Sequence, residues 1–187
     1  CAAEAGGLRL GPQDVLAQLF ERLYGGSVIR NDLRGELVEE IVGIALAPVW
    51  QLCGSDWGAC DLLDASSGYK IQVKQSAAKQ SWNSGEKGRS SPRFSIAAKT
   101  GRYEGADWIA GEGRNADIFI FAYHDNTGDD CDHANPEQWA FYVVAESALP
   151  TQNSLGLAKI EKLAVPVTFA SLGQAVDEIS TRLTQSR

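Results

Sequence analysis

Three polar residues near the middle of the chain could do chemistry together: Asp61, Gln72 and Lys74. Asp61 begins one β-like run, Gln72 and Lys74 belong to the next, and the turn sequence SSG (66–68) separates the two runs. Because residues two apart in a strand project from the same face, Gln72 and Lys74 point together, and a hairpin can bring Asp61 beside them. A carboxylate, an amide oxygen and a lysine in one place suit a hard cation such as Mg²⁺ or Mn²⁺ and a water that attacks a phosphate.

The order of these motifs resembles the PD-(D/E)xK nuclease superfamily, whose pattern is a glutamate on a helix, then an acid, a hairpin and a (D/E)xK motif. In this chain Asp61 stands where the acid stands, and Gln72-Val73-Lys74 stands where (D/E)xK stands. The runs EEIVGIAL, GSDWGACD, QVKQSAAKQSW, ADIFIFAYH and QWAFYVV are also similar to a group of uncharacterised bacterial proteins of this fold. The resemblance covers about residues 31–150 and implies an α/β, restriction-endonuclease-like fold with a mixed central sheet flanked by helices.

The resemblance also implies a role for each residue of the motif. Asp61 and Gln72 would hold the metal, and Lys74 would orient the attacking water, so all three are predicted to be catalytic. The chain departs from the family pattern at two positions. Gln72 replaces the usual acid, which removes one negative charge from the metal site, and Cys60 rather than proline precedes Asp61. Two other acids near the hairpin remain alternatives: Asp56 and Asp64.

The resemblance places a further acid on the preceding helix, in the stretch RGELVEEIV. Glu36 and Glu40 lie one turn apart on the same face, whereas Glu39 has a glycine one turn away on each side, which lets a backbone or a ligand approach closely. The resemblance also aligns best at Glu39, so we predict that Glu39 joins Asp61 and Gln72 as a catalytic residue and metal ligand. The alternative is that all three glutamates are solvated acids on an exposed helix face.

The distribution of charge points to a polyanionic partner. Nine basic and four acidic residues fall between positions 70 and 114, so this window is positive in a chain whose net charge is −7. We predict DNA contacts from five residues of this window: Gln75, Lys79, Lys87, Arg89 and Arg93. Trp82 and Trp108 could stack on bases. The alternative is a solvated loop whose charges keep the protein soluble, with both tryptophans in or beside the core.

The stretch after position 123 invites a zinc interpretation, because it contains His124, Cys131 and His133. Their spacing, H-x6-C-x-H, matches no structural zinc pattern, and a fourth ligand is unassigned. We therefore expect the loop 124–136 to be acidic and solvated. A serine hydrolase is disfavoured because the two histidines of the chain both lie in this loop and no GxSxG sequence occurs. Neither a P-loop nor a GxGxxG sequence is present.

The elements that must position these residues follow from hydrophobic periodicity and capping signals. We predict one helix from Pro12 to the Gly25-Gly26 pair and one from Asn31 or Asp32 to the residues before Pro48. A last helix is predicted over 171–185, with Ser171 and Gln174 as a capping box. The predicted strands cover 61–65, 69–74, 94–97, 116–123 and 138–144. We also predict a short helix after Lys74, capped by Ser76.

Length and composition set the class of protein. With 187 residues, 44% hydrophobic residues and five tryptophans, the chain fits one folded domain over 1–187, with its core over about 31–150. No apolar run approaches the ~18 residues that span a membrane, and four cysteines without a CxxC pair indicate a reduced, cytoplasmic protein. Because the chain contains no methionine, we expect its natural N-terminus to lie upstream.

These features together predict a Mg²⁺-dependent phosphodiesterase, a nuclease, that acts on DNA. Cleavage of both strands by a domain with one site calls for two copies, so a homodimer is expected on geometric grounds. Two alternatives belong to other functional classes. One is a non-cleaving nucleic-acid-binding module of nuclease ancestry, which the glutamine at position 72 favours. The other is a protein-interaction subunit that uses the acidic surface.

Overall fold

The computed structural model describes residues 10–53, 60–82, 89–104 and 107–186. Within these ranges the α-helices are α1 (Pro12–Tyr24), α2 (Asn31–Leu46), α3 (Leu157–Ile160) and α4 (Leu172–Gln185). The β-strands are β1 (Trp50–Leu52), β2 (Leu62–Asp64), β3 (Lys70–Ala77), β4 (Arg93–Ser95), β5 (Lys99–Glu104), β6 (Asp107–Gly113), β7 (Ile118–His124), β8 (Trp139–Ala145) and β9 (Ser154–Gly156).

Five strands form the central sheet, in the order β1-β2-β3-β7-β8. β1, β2 and β3 pair antiparallel, β3 and β7 pair parallel over seven residue pairs, and β7 and β8 pair antiparallel. Every residue of β7 is buried, which agrees with its continuous apolar sequence IFIFAYH, typical of a strand covered on both faces. The predicted α/β fold with a mixed central sheet flanked by helices is confirmed.

The sheet is covered differently on its two faces. On one face, α2 and α4 bury Val38, Val42 and Val176 against apolar side chains of β3, β7 and β8. On the other face, Phe119 and Phe121 pack with residues of the β4–β9 pair and of α3. Burial on both faces places β7 at the centre of the fold, and its parallel partner β3 carries Gln72 and Lys74.

The region after Lys74 differs from the prediction. β3 continues to Ala77, so the expected short helix is absent, and Ser76 is a buried strand residue rather than a helix cap. The cause is the parallel partner, because β7 offers backbone hydrogen bonds along the register from Ile71↔Ile118 to Ala77↔His124. Tertiary pairing thus overrides the local signal.

Two further differences concern helix capping and a hairpin. α4 begins at Leu172 as predicted to within one residue, but Ser171 makes no cap to it. Instead, Thr168 and Ser171 form a capping box one turn earlier, in which the Thr168 N–H donates to Ser171 Oγ (3.2 Å). The two-stranded sheet β5–β6 has no counterpart among the predicted strands, since its residues carry no continuous apolar or alternating pattern.

The first helix stands apart from this core. α1 forms where a helix was predicted, with Leu16, Leu19, Phe20 and Leu23 at helical spacing, yet none of its residues is buried. Among the described residues, no helix has both the length and the apolar character needed to cross a membrane.

Candidate functional site

Asp61 is held by four hydrogen bonds at the end of the β2–β3 hairpin. Its main-chain N–H donates to the Ile71 carbonyl (2.9 Å), and its carbonyl accepts from the Cys53 N–H (2.8 Å). Its carboxylate oxygen Oδ2 accepts from the Val73 N–H (2.6 Å) and from Gln72 Nε2 (2.5 Å). The hairpin backbone therefore fixes where this carboxylate lies and which way it faces.

Gln72 and Lys74 project from the same face of β3, and both are half-buried. Burial lowers the pKa of Lys74, while the charges of Asp61 and Glu39 raise it and the charge of Lys99 lowers it. The Lys74 ammonium thus lies within electrostatic range of both acids. Lys99, on β5, also lies within electrostatic range of Lys74. Sequence reasoning missed it, because its position in the sequence does not distinguish it from the other basic residues between positions 70 and 114.

Of the three glutamates on α2, the structure brings Glu39 to the site. The pKa of Glu39 is raised to about 7, chiefly by burial and also by the charges of Asp61 and Glu36, while the charge of Lys74 lowers it. Burial also raises the pKa of Asp61, against the lowering effect of Lys74 and of the hydrogen bonds that its carboxylate accepts. Glu36 and Glu40 are exposed side chains. Glu39, Asp61 and Lys74 therefore share one site that is partly shielded from water.

This donor set fits a hard divalent cation. Asp61 and Glu39 supply carboxylate oxygens, and both have a raised pKa, so a cation beside them would stabilise their charged forms. Gln72 fits with one adjustment. Its Nε2, not its Oε1, faces Asp61, so the amide must rotate by half a turn to offer its oxygen to a cation there.

Gln75 lies on the other face of β3, where its side chain is bonded within the protein. Its Oε1 accepts from Arg34 Nε (2.7 Å), and its Nε2 donates to the main-chain and side-chain oxygens of Asn31 (both 3.3 Å). A phosphate at Gln75 would compete with these bonds. Because Arg34 is fully buried, its own pKa is lowered to about 10. Sequence reasoning missed Arg34, although it lies one turn before the buried Val38.

The other described residues predicted to contact DNA are each bonded within the protein. Lys79 Nζ donates to the Gly128 carbonyl (2.8 Å), and Arg93 Nη1 donates to Ser154 Oγ (3.0 Å). Arg89 pairs with Asp125. Lys87 and Asp56 lie outside the described residues, whereas Trp82 and Trp108 are 63% and 52% exposed, as a base-stacking role requires.

The expectation of an acidic, solvated loop after position 123 is wrong for three of its residues. His124, Cys131 and His133 are buried, and their potential ligand atoms all lie within 4.8 Å of one another. Their burial follows from Trp139, which packs against both histidine rings and donates from Nε1 to the His133 carbonyl (2.9 Å). The acidic side chains Asp129 and Asp130 do remain exposed.

The hydrogen bonds of this histidine cluster determine where its protons are. His124 Nε2 contacts the Asp132 carbonyl (3.2 Å), which can only accept, so Nε2 carries the proton and Nδ1 keeps a lone pair. His133 Nδ1 accepts from the Ile29 N–H (3.0 Å), so the neutral ring has its proton on Nε2. The neutral His133 ring therefore has no lone pair free for a metal, since Nδ1 accepts from Ile29 and Nε2 carries the proton, which disfavours a metal held by all three residues.

No family model matches the chain, and no curated protein matches it. Among solved structures, the chain is similar to a bacterial homing endonuclease at 16% sequence identity and a TM-score of 0.41. The similarity covers 84% of this chain and 98% of that one.

Proposed function

We propose that this chain is a metal-dependent phosphodiesterase that cleaves DNA, built on the PD-(D/E)xK plan with glutamine at the second position of the motif. The observation that carries the proposal is the meeting of Glu39, Asp61, Gln72 and Lys74 in one half-buried site. They occur in the order helix glutamate, acid, hairpin, QxK. The strand that carries the QxK motif is also the one that pairs parallel to the buried β7.

Each residue has a task that its position suits. A divalent cation, when bound, would stabilise negative charge on the phosphate that is attacked. Asp61 and Glu39 would hold it through carboxylate oxygens, and Gln72 through its amide oxygen or a water. Lys74 would donate a hydrogen bond that orients the attacking water, and its ammonium would stabilise the charge that develops on the phosphate. Burial lowers the pKa of this lysine.

The proposal is tested with purified full chain and supercoiled plasmid DNA. Nicking or linearisation in Mg²⁺ or Mn²⁺, and none in EDTA, is expected. Cleavage that is undiminished in EDTA would contradict the proposal. DNA binding without cleavage in either cation would favour a second candidate, a non-cleaving nucleic-acid-binding module. One observation supports that candidate: the Gln72 amide already satisfies the Asp61 carboxylate with a hydrogen bond, as a site that no longer holds metal would.

Replacing Gln72 with glutamate is expected to tighten Mg²⁺ binding, whereas Gln72→Ala is expected to weaken it. Glutamate keeps the side-chain length, replaces the N–H donor that faces Asp61 with an anionic oxygen, and gives a hard cation a further full charge beside those of Asp61 and Glu39. Without metal, repulsion between the two carboxylates would raise a carboxyl pKa, so Mg²⁺ affinity should depend more steeply on pH. Calorimetric titration of Mg²⁺ into each variant measures both effects.

Gln75→Glu serves as the matched control for this titration. Gln75 lies on the other face of the same strand and is bonded to Arg34 and Asn31, so this change adds an equal charge without adding a ligand. Mg²⁺ binding should remain at the parent's level. If Gln72→Glu binds Mg²⁺ no more tightly than the parent, Gln72 does not face the cation.

Alanine substitutions at Lys87, Arg89 and Arg93 are expected to weaken DNA binding equally for all sequences. If each residue contacts one phosphate, each loss should reduce the slope of log affinity against log salt by about one. Fluorescence titration of a labelled duplex at several salt concentrations gives the slope. Lys162→Ala, an exposed lysine outside the basic window, should leave it unchanged. An unchanged slope in the three test variants would make the window a solubilising surface.

A further inference from the structure

Two cysteine side chains touch beside the candidate site. Cys53 follows β1 and Cys60 precedes Asp61, and their sulfur atoms lie 3.0 Å apart, both as free thiols. The contact arises from the antiparallel pairing of β1 and β2, in which Leu52 lies opposite Leu62 and the Cys53 N–H donates to the Asp61 carbonyl (2.8 Å). Cys53 therefore lies opposite Asp61, and Cys60, the residue before Asp61, lies beside that pair.

This geometry is suited to a covalent bond between the two sulfurs. The sulfurs need to approach by only about 1 Å to reach the bonding distance of about 2.0 Å. Cys131 differs, because it lies in the histidine cluster and is bonded to no other thiol within the described part of the chain.

We propose that Cys53 and Cys60 are a reversible oxidation site, which hydrogen peroxide converts into an intramolecular disulfide and a thiol reductant restores. This inference is independent of the proposed nuclease activity, since it rests on the contact between the two thiols. Its location gives it a consequence for the fold: the disulfide would tie the edge strand β1 to the residue directly before Asp61.

The order of the two chemical steps follows from burial. Cys53 is half-buried, whereas Cys60 is buried, so peroxide from the solvent reaches the Cys53 sulfur first. The Cys53 thiolate attacks one peroxide oxygen, the O–O bond breaks, and hydroxide leaves, giving a sulfenic acid at Cys53. The Cys60 sulfur then attacks the Cys53 sulfur, the S–O bond breaks, and the departing hydroxide takes up the Cys60 proton. Overall, two thiols lose two electrons and two protons, and peroxide is reduced to two waters.

The test uses the full chain, first reduced and then treated with hydrogen peroxide, followed by alkylation of the remaining thiols. Mass spectrometry before alkylation should show a loss of about 2 Da, and peptide mapping after alkylation should join Cys53 to Cys60. Dithiothreitol should restore both thiols. Because this measurement is made on the parent chain, its outcome does not depend on whether a variant folds. Absence of the bond, or a bond that joins Cys131 or two chains instead, would overturn the proposal.

Three serine variants then test the order of the steps. Cys131→Ser is the matched control and should form the disulfide at the parent's rate. In Cys60→Ser, oxidation should stop at a sulfenic acid on Cys53, which dimedone traps, whereas Cys53→Ser should give at least about tenfold less trapped product at Cys60 because that thiol is buried. Equal trapping at the two cysteines would contradict the assignment of Cys53 as the thiol that reacts first.

Discussion

Asp61→Asn and Lys74→Ala are each expected to lower metal-dependent DNA cleavage at least about 100-fold, the usual scale for losing a metal ligand or a group that stabilises the developing charge. Asparagine keeps one side-chain oxygen that can accept from the Val73 N–H, so the hairpin should survive while the carboxylate charge is lost. Alanine at position 74 removes the ammonium that lies beside both acids. Initial rates of plasmid nicking at saturating Mg²⁺ measure the losses.

The neighbouring acids of α2 give a matched control for these variants. Glu39→Gln should also reduce cleavage, because Glu39 shares the site with Asp61, whereas Glu40→Gln changes an exposed side chain and should leave the rate within about twofold of the parent. Circular dichroism and thermal unfolding confirm that each variant is folded. Parental cleavage in folded Asp61→Asn would show that Asp61 holds no metal on which cleavage depends.

The local part of the site could be predicted from the sequence because strand alternation is a local property. Residues two apart in a strand lie on the same face, so Gln72 and Lys74 project together. The short turn between β2 and β3 makes the two strands antiparallel and brings β3 back beside Asp61. The continuous apolar run of β7 likewise predicted a strand buried on both faces. The choice of Glu39 over Glu36 and Glu40 came from its spacing on the helix and from the family resemblance, and it remains a prediction about function.

The rest could not be predicted because it depends on contacts between distant segments. β3 extends to Ala77 only because β7 lies beside it, and no local signal in QSAA specifies a strand. Arg34 is buried because acceptors from β3 and from the residues before α2 converge on its guanidinium, which spacing along α2 alone cannot show. The histidine loop carries exposed acids and buried histidines side by side. The histidines are buried because Trp139, on the distant strand β8, packs against both of their rings.

Acidification is expected to destabilise the protein through His133. Its pKa is lowered from 6.5 to about 4, chiefly by burial and also by the charges of Arg34 and His124. Between these values the unfolded chain binds a proton that the folded protein does not. The contribution to stability is therefore complete above about pH 6.5 and is lost as the pH falls to 4, where the loss is about 3 kcal/mol. Glu39 acts in the opposite direction, since its raised pKa favours the folded state as the pH falls from about 7 towards 4.5.

The effects of His133 and Glu39 on the pH dependence of stability partly cancel in the parent. The expected result is therefore a difference between the stability–pH profiles of the parent and of a His133 variant. His133→Asn removes the titrating ring but keeps a side-chain oxygen that can accept from the Ile29 N–H, as His133 Nδ1 does. Urea unfolding of parent and variant from pH 4 to pH 8 gives the free energy of unfolding of each. The free energy of unfolding of the parent should exceed that of His133→Asn most near pH 8, and this difference should be smaller by about 3 kcal/mol at pH 4.

Thr127→Ala, an exposed and uncharged change in the same loop, is the control, and its free energy of unfolding should follow that of the parent at every pH. A parallel profile for His133→Asn would mean that His133 takes up its proton as readily in the folded protein as in the unfolded chain, and that the hydrogen bond from Ile29 does not hold the ring neutral.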